Sequence, residues 1–213
     1  MLQAAQGEVL YNDDTSMKVL WLVREPGDER TGVFTSGIVS TRQGQKIALF
    51  FTGRQHAGEN LAEVLKRRAQ ELKPAIQMSD ALSRNVPKFA GGVEILVANC
   101  LAHGRRQFVN VAGSFPDECR YVLEALGKVY GHEAMVRERA LAPLERLRFH
   151  QDHSGPVMQK LHRWLEAQLA ERKTEPNSGL GKAITYLLRH WNGLTGSCFN
   201  PRLPWTTTFV SGP

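Results

Sequence analysis

The stretch AIQMSDALSRNVPKFAGGVEILVANCLAHGRRQF, Ala75 to Phe108, carries two short apolar runs, Ala75 to Met78 and Val93 to Ala98. Each is bounded by turn residues and rich in Ile, Val or Leu, which is the pattern of a buried strand. The first run delivers Asp80 at its C-terminal end; the second delivers Cys100 and His103, then Arg105 and Arg106. In an open α/β sheet, ligands and reactive groups collect at the carboxyl ends of strands, so function is expected here.

Upstream, Val9-Leu10-Tyr11 reads as a strand ending in the polar residues Asn12, Asp13, Asp14 and Thr15. Arg24 to Arg30 is a turn by its Pro-Gly and charge content, Thr31 to Ser40 alternates as a strand, and Gln43-Gly44-Gln45 turns into the apolar run Ile47 to Phe51. Three strands in succession fit a meander. From Ala57 to Leu72 the residues Leu61, Val64, Leu65 and Leu72 share one helical stripe, and Pro74 closes it. The order is therefore three strands, helix, strand, irregular segment, strand: an α/β protein with a mixed sheet.

Beyond Phe108 the pattern changes. Residues from about Asp117 to Asn192 carry helical periodicity, with breaks expected at Pro143, at Ser154-Gly155-Pro156 and at Glu175 to Gly179. Stripes at Leu126 and Val129, at Leu161 and Leu165, and at Ile184 and Leu187 read as core. After Thr195 the period stops, and GSCFNPRLPWTTTFVSGP is expected to pack poorly. The expected divisions are 1–111 for the sheet, 112–195 for the helical block and 196–213 for the tail.

With 213 residues, 42% of them hydrophobic, the chain can build a core. Three cysteines without paired spacing, and no apolar stretch of signal or membrane-span length, fit a reducing cytoplasm and exclude a disulfide scaffold. A net charge of +6 is the balance of a nucleic-acid partner, although basic proteins without one also exist.

Asp13 and Asp80 each stand at the end of an expected strand. If the strands adjoin, the two carboxylates converge. Hard cations such as Mg²⁺ prefer carboxylate oxygens, and paired ions can activate an attacking oxygen and stabilise a leaving one at phosphorus. The alternative for either Asp alone is a turn cap. Cys100 and His103 have zinc-like spacing, but four ligands are needed and Cys119 is the only nearby thiol, so they read as a structural Cys with a hydrogen-bonded His. Arg105 and Arg106 are either a phosphate clamp or a solvated helix face.

The segments NDDT at Asn12 to Thr15, QMSDALSRN at Gln77 to Asn85 and NCLAHGRRQF at Asn99 to Phe108, followed by a helical block, resemble the DDE transposases of bacterial insertion-sequence family sixty-six. The resemblance implies a ribonuclease-H-like core interrupted by a helical insertion. It further implies a two-metal site (Mg²⁺ or Mn²⁺) that cuts and joins DNA at transposon ends, in a bacterial, nucleoid-associated protein. By that pattern Asp13 is the first catalytic and metal-binding acid and Asp80 the second, while Asp14 is not a ligand. Cys100 and His103 shape the site, and Arg105 and Arg106 contact DNA.

Two departures from the family stand out. Relatives begin with a domain that reads the element's ends, whereas this chain starts just before Asp13. Relatives also carry the third acid in an Asp-Asn-Asn-x-x-Glu-Arg string, which this sequence lacks. Read one register on, the codons of Trp205 to Pro213 are compatible with Asp-Asn-Asn-Phe-Cys-Glu-Arg-Ala, so the tail after about Thr195 reads as out-of-frame translation of that motif. Three function classes follow. They are a transposase core inactive for want of its third acid, a DNA-binding or regulatory remnant pairing with itself or with intact transposase, and another ribonuclease-H-like nuclease.

Overall fold

The computed structural model describes residues 1–17, 32–89, 93–198 and 200–203. The chain divides into two compact units, Met1–Ala98 and Asn99–Pro213.

The first unit is a five-stranded sheet with one main helix. A short helix α1 (Leu2–Ala5) leads into β1 (Val9–Met17), β2 (Val33–Arg42) and β3 (Gln45–Gly53); α2 (Ala57–Leu65), β4 (Ala75–Ser79) and β5 (Ile95–Asn99) follow. The strand order is β3-β2-β1-β4-β5. Strands β1, β2 and β3 form the expected antiparallel meander, and β1 pairs in parallel with β4. This mixed sheet, followed by a helical block, is consistent with a ribonuclease-H-like arrangement. The β2-β3 hairpin closes through Gln43 (φ 50°) and Gly44 (φ 79°), two left-handed residues whose twist matches that of the strands.

Two boundaries differ from the sequence reading. Strand β1 does not end at the acids but runs through Asp13 and Asp14, because β2 continues to pair with it there (Asp13 with Gly37, Asp14 with Ser36) after its pairing with β4 has stopped at Tyr11. Helix α2 ends at Leu65 rather than Leu72. Just beyond its end, Arg68 donates to the carbonyls of Ala5, Gly7 and Lys73, which holds the chain in a turn. The expected turn at Arg24 to Arg30 lies outside the described residues.

Alternation along the strands decides what lies beneath α2. Leu10 of β1, Ile38 of β2 and Ala75 of β4 pack with Leu61, Val64 and Leu65 of α2, all fully buried. Burying one such aliphatic side chain contributes about 1.5–3 kcal/mol.

The second unit is helical: α3 (Leu101–Val111), α4 (Pro116–Glu138), α5 (Pro143–Phe149), α6 (Gly155–Ala170), α7 (Gly179–Arg189) and α8 (Trp191–Thr195). The expected stripes are its core, with Leu126, Val129, Leu161, Leu165, Ile184 and Leu187 buried together. Helix α3 enters the sequence reading only as one alternative for Arg105 and Arg106, a solvated helix face. Only Leu101, Gly104 and Phe108 of it are buried, and Gly104 is there for proximity, since a Cβ at that position would lie 2.6 Å from Leu187. The break expected at Ser154-Gly155-Pro156 is instead a π-helical turn, His150–Ser154, running straight into α6. Pro156 stands at the start of α6, directly after the π turn.

That π turn closes a buried polar network. Glu133 of α4 accepts from His150 Nε2 at 2.9 Å, from Arg146 Nη2 at 3.2 Å and, on its other oxygen, from Arg137 Nε at 3.1 Å. The other ring nitrogen of His150 meets Ser154 Oγ at 2.9 Å. Burial alone would push the Glu133 carboxyl up, but the His150 hydrogen bond and the Arg146 and Arg137 guanidinium groups outweigh it and hold the carboxyl below its ordinary value of 4.5.

The chain after Thr195 does not pack poorly as far as it is described. A short 3₁₀ turn, Gly196–Cys198, is buried, and Leu203 is held by Ser197 Oγ and Arg146 Nη1, which donate to its carbonyl at 2.8 and 3.1 Å. Burial pushes the Cys198 thiol up to about 11, the behaviour of a packing group rather than a nucleophile. Residues 204–213 lie outside the described residues. No described helix is long and apolar enough to cross a membrane.

Candidate active site

The parallel pairing of β1 with β4 sets Val9 beside Ile76, Leu10 beside Gln77 and Tyr11 beside Met78. Asp13 stands two residues beyond Tyr11, and Asp80 two residues beyond Met78. The two acids therefore occupy matching positions at the end of the parallel pair, where β4 leaves the sheet.

A buried amide network ties the two segments together. Gln77 Nε2 donates to Asn12 Oδ1 at 2.7 Å and contacts the Asn85 carbonyl at 3.3 Å, while Asn12 Nδ2 donates to that same carbonyl at 2.6 Å. Asn85 Nδ2 in turn donates to Asp80 Oδ1 at 2.5 Å, and Leu82 N–H adds a weaker contact at 3.3 Å. Asn12, Gln77 and Asn85 are all buried. Each neutral bond contributes only about 0.5–1.5 kcal/mol net, whereas orphaning a buried partner costs about 1–3 kcal/mol; Gln77 Oε1 and Asn85 Oδ1 are buried without a partner among the described residues. The network fixes the Asp80 turn to the residue preceding Asp13. Asp80 Oδ2 accepts no hydrogen bond among the described residues, which leaves an acceptor-only oxygen able to take a cation.

The neighbouring acid has the opposite fate. Side chains alternate along β1, so Asp13 is exposed while the Asp14 side chain points under α2 and is fully buried. Its Oδ1 accepts from Ser36 Oγ at 2.7 Å, its Oδ2 meets His56 Nδ1 at 3.0 Å, and Asn60 Nδ2 supports Ser36 Oγ at 3.0 Å. Both Asp14 oxygens are committed. His56 also caps α2, where its N–H donates to Glu59 Oε2 at 2.8 Å, and its ring leans on Phe34.

The remaining expected residues belong to the helical unit. Cys100 is fully buried at the N-cap of α3, and its carbonyl accepts from His103 N–H at 3.1 Å. Arg105 and Arg106 are exposed on that helix. Burial, then the nearby Cys100, pushes the Tyr130 phenol up, with Arg105 opposing. Among the described residues no three His, Cys, Asp or Glu side chains gather where a metal ion could be held.

Asn12, Gln77, Asn85, Ser36, His56 and Asn60 were not singled out from the sequence. Gln77 carries the one signal that could have found them: a polar residue in the middle of a strand buried on both faces must have a partner.

Comparison with known proteins gives a family match over residues 2–208, nearly the whole chain, to the sequence model described as "Transposase IS66 family". A protein of Sinorhizobium fredii described as "Uncharacterized protein y4jD" is 39% identical over 103 residues, covering 46% of this chain and 19% of that protein. No solved structure matches.

Proposed function

The chain belongs to the IS66 transposase family, and from that premise we propose that Asp13 and Asp80 are the first two carboxylates of a DNA-directed phosphodiester site. The observation that carries the reading is the β1-β4 register, with both acids at the end of one parallel pair and Asn12, Gln77 and Asn85 binding the two segments together.

Membership of the family implies divalent-metal use, and the donor set here fits a hard cation: exposed Asp13, and Asp80 Oδ2, which accepts no hydrogen bond among the described residues, supply carboxylate oxygen. These two residues would hold Mg²⁺ or Mn²⁺, which when bound supplies Lewis-acid stabilisation of charge at phosphorus. Asn85 orients Asp80 toward that task, and Asp14, with both oxygens engaged, takes no part in it. Arg105 and Arg106, exposed on α3, contact phosphate groups, and Cys100 and His103 shape the start of that helix.

The 213 residues carry no Asp-Asn-Asn-x-x-Glu-Arg string, and a site of Asp13 and Asp80 alone would bind divalent ions weakly and cut DNA inefficiently. The missing motif has one cause in this reading, a change of frame near Trp205, beyond the packed segment that ends at Leu203. Transposition chemistry then belongs to intact members of the family, with which the chain pairs on DNA in the bacterial cytoplasm.

Labelled duplex incubated with the purified chain and Mg²⁺ or Mn²⁺ tests this. The expected result is salt-dependent binding without cleavage, and Mn²⁺ binding that weakens in Asp13→Asn and Asp80→Asn. Strand cleavage that disappears in Asp80→Asn would overturn the inactive reading. Codons from Trp205 onward incompatible with Asp-Asn-Asn would overturn the change of frame.

A further inference from the structure

We propose that His56, Arg84 and Lys88 form a subsite that grips the phosphodiester backbone of duplex DNA; the inference rests on the DNA-directed reading above and adds a second basic contact, distinct from Arg105 and Arg106. A cleft of about 460 Å³ opens between the start of α2 and the segment that follows Asp80, lined by His56, Glu59, Ser83, Arg84, Val86 and Lys88.

Its walls are built. The segment alternates, with Asn85 and Pro87 buried and Arg84 and Lys88 exposed. Asn85 is anchored through the Asn12 and Gln77 network, so Arg84 is presented from a fixed point. The backbone of residues 84–86 is seated directly on the first turn of α2: a Cβ at Gly58 would lie 2.6 Å from the Arg84 carbonyl oxygen and 2.7 Å from that of Val86. No side chain fits between them. His56, on the other wall, is held by buried Asp14 at 3.0 Å.

The charge balance points to an anion. Arg84 and Lys88 make no ion pair among the described residues. The one carboxylate lining the cleft, Glu59, is directed to the His56 N–H as part of the helix cap. An unpaired guanidinium and an unpaired ammonium beside a fixed imidazole match phosphate oxygens, Arg by its fork and Lys as a point charge. The ligand is a nucleic-acid strand rather than a free anion because Arg84 lies four positions after Asp80 and Asn85 bonds that carboxylate directly, so a backbone lying in the cleft is delivered to the candidate site.

The test is the salt dependence of duplex binding by the full chain, measured by anisotropy across NaCl concentrations. Each phosphate contact contributes about 0.9 to the slope of log K against log salt. The double variant Arg84→Gln/Lys88→Gln is expected to lower the slope by about 1.8 and to weaken binding at low salt, with an unchanged melting temperature since both side chains are exposed. Arg105→Gln/Arg106→Gln is the parallel measurement for α3, and Asp80→Asn, read by Mn²⁺ binding, tests the acid site separately. An unchanged slope in Arg84→Gln/Lys88→Gln overturns the subsite while leaving the DNA reading standing. Failure of the unaltered chain to bind duplex overturns both, and a slope change seen with duplex RNA but not DNA overturns the choice of ligand.

Discussion

The two units each bury a polar network, and the networks end differently. In the helical unit the network closes on itself: both oxygens of Glu133 are engaged and both ring nitrogens of His150 are paired. In the sheet unit the chain Asn12, Gln77, Asn85 ends on Asp80, whose second oxygen has no described partner. A closed network can only stabilise, whereas an open one positions a group for something that arrives later. Asp14 and Asp13, adjacent on opposite faces of β1, differ in burial: the Asp14 side chain is fully buried with both oxygens engaged, while Asp13 is exposed and its Oδ1 accepts from the Asp14 N–H at 2.8 Å.

Removing the centre of the closed network should have the largest effect. Glu133→Ala leaves His150 and Arg146 without their carboxylate, and breaking a buried pair from one side costs about 3–5 kcal/mol. Denaturant unfolding should show the helical transition moving strongly while Mn²⁺ binding per folded molecule is unchanged; a loss below about 1 kcal/mol would mean that the network is not a stabilising centre. The same carboxyl sets a pH dependence. Its folded value lies below the ordinary 4.5, so its stabilisation is fully present above pH 4.5 and is lost as pH falls below that through the folded value. Glu133→Gln should flatten this acid limb.

Opening the other network should matter less to stability and more to binding. Gln77→Leu orphans Asn12 Oδ1 and removes the longer of the two bonds to the Asn85 carbonyl, at about 1–3 kcal/mol, and should also weaken Mn²⁺ binding. Equal Mn²⁺ affinity in the folded variant would show that the network does not position Asp80. The smallest stability effect is expected for exposed Asp13→Asn, within about 0.5 kcal/mol, combined with a clear loss of Mn²⁺ affinity. The reverse pattern would make Asp13 a structural residue like its neighbour.

Legibility followed the range of the interactions. The meander, the start of α2 and the helical stripes could be read because hydrophobic period is a local property, and the Gln43-Gly44 turn because its backbone favours particular residues. The extent of helix α3 was hidden because only Leu101, Gly104 and Phe108 are buried, and the reason for Gly104 is Leu187, eighty-three positions away. The π turn was mistaken for a break because Gly155-Pro156 usually stops a helix, and only the pairing of His150 with Glu133 and Ser154 shows why the chain runs on there.

By itself the sequence determined the kinds of element and most of their order, because strand and helix periods are written in consecutive residues. Tertiary structure alone decided which of two adjacent aspartates is buried, which amides hold the Asp80 turn and which basic side chains line the cleft beside it. Those outcomes depend on strand register and on partners such as Gln77 and Asn12, sixty-five positions apart, and a one-residue slip in register would have exchanged the faces of Asp13 and Asp14.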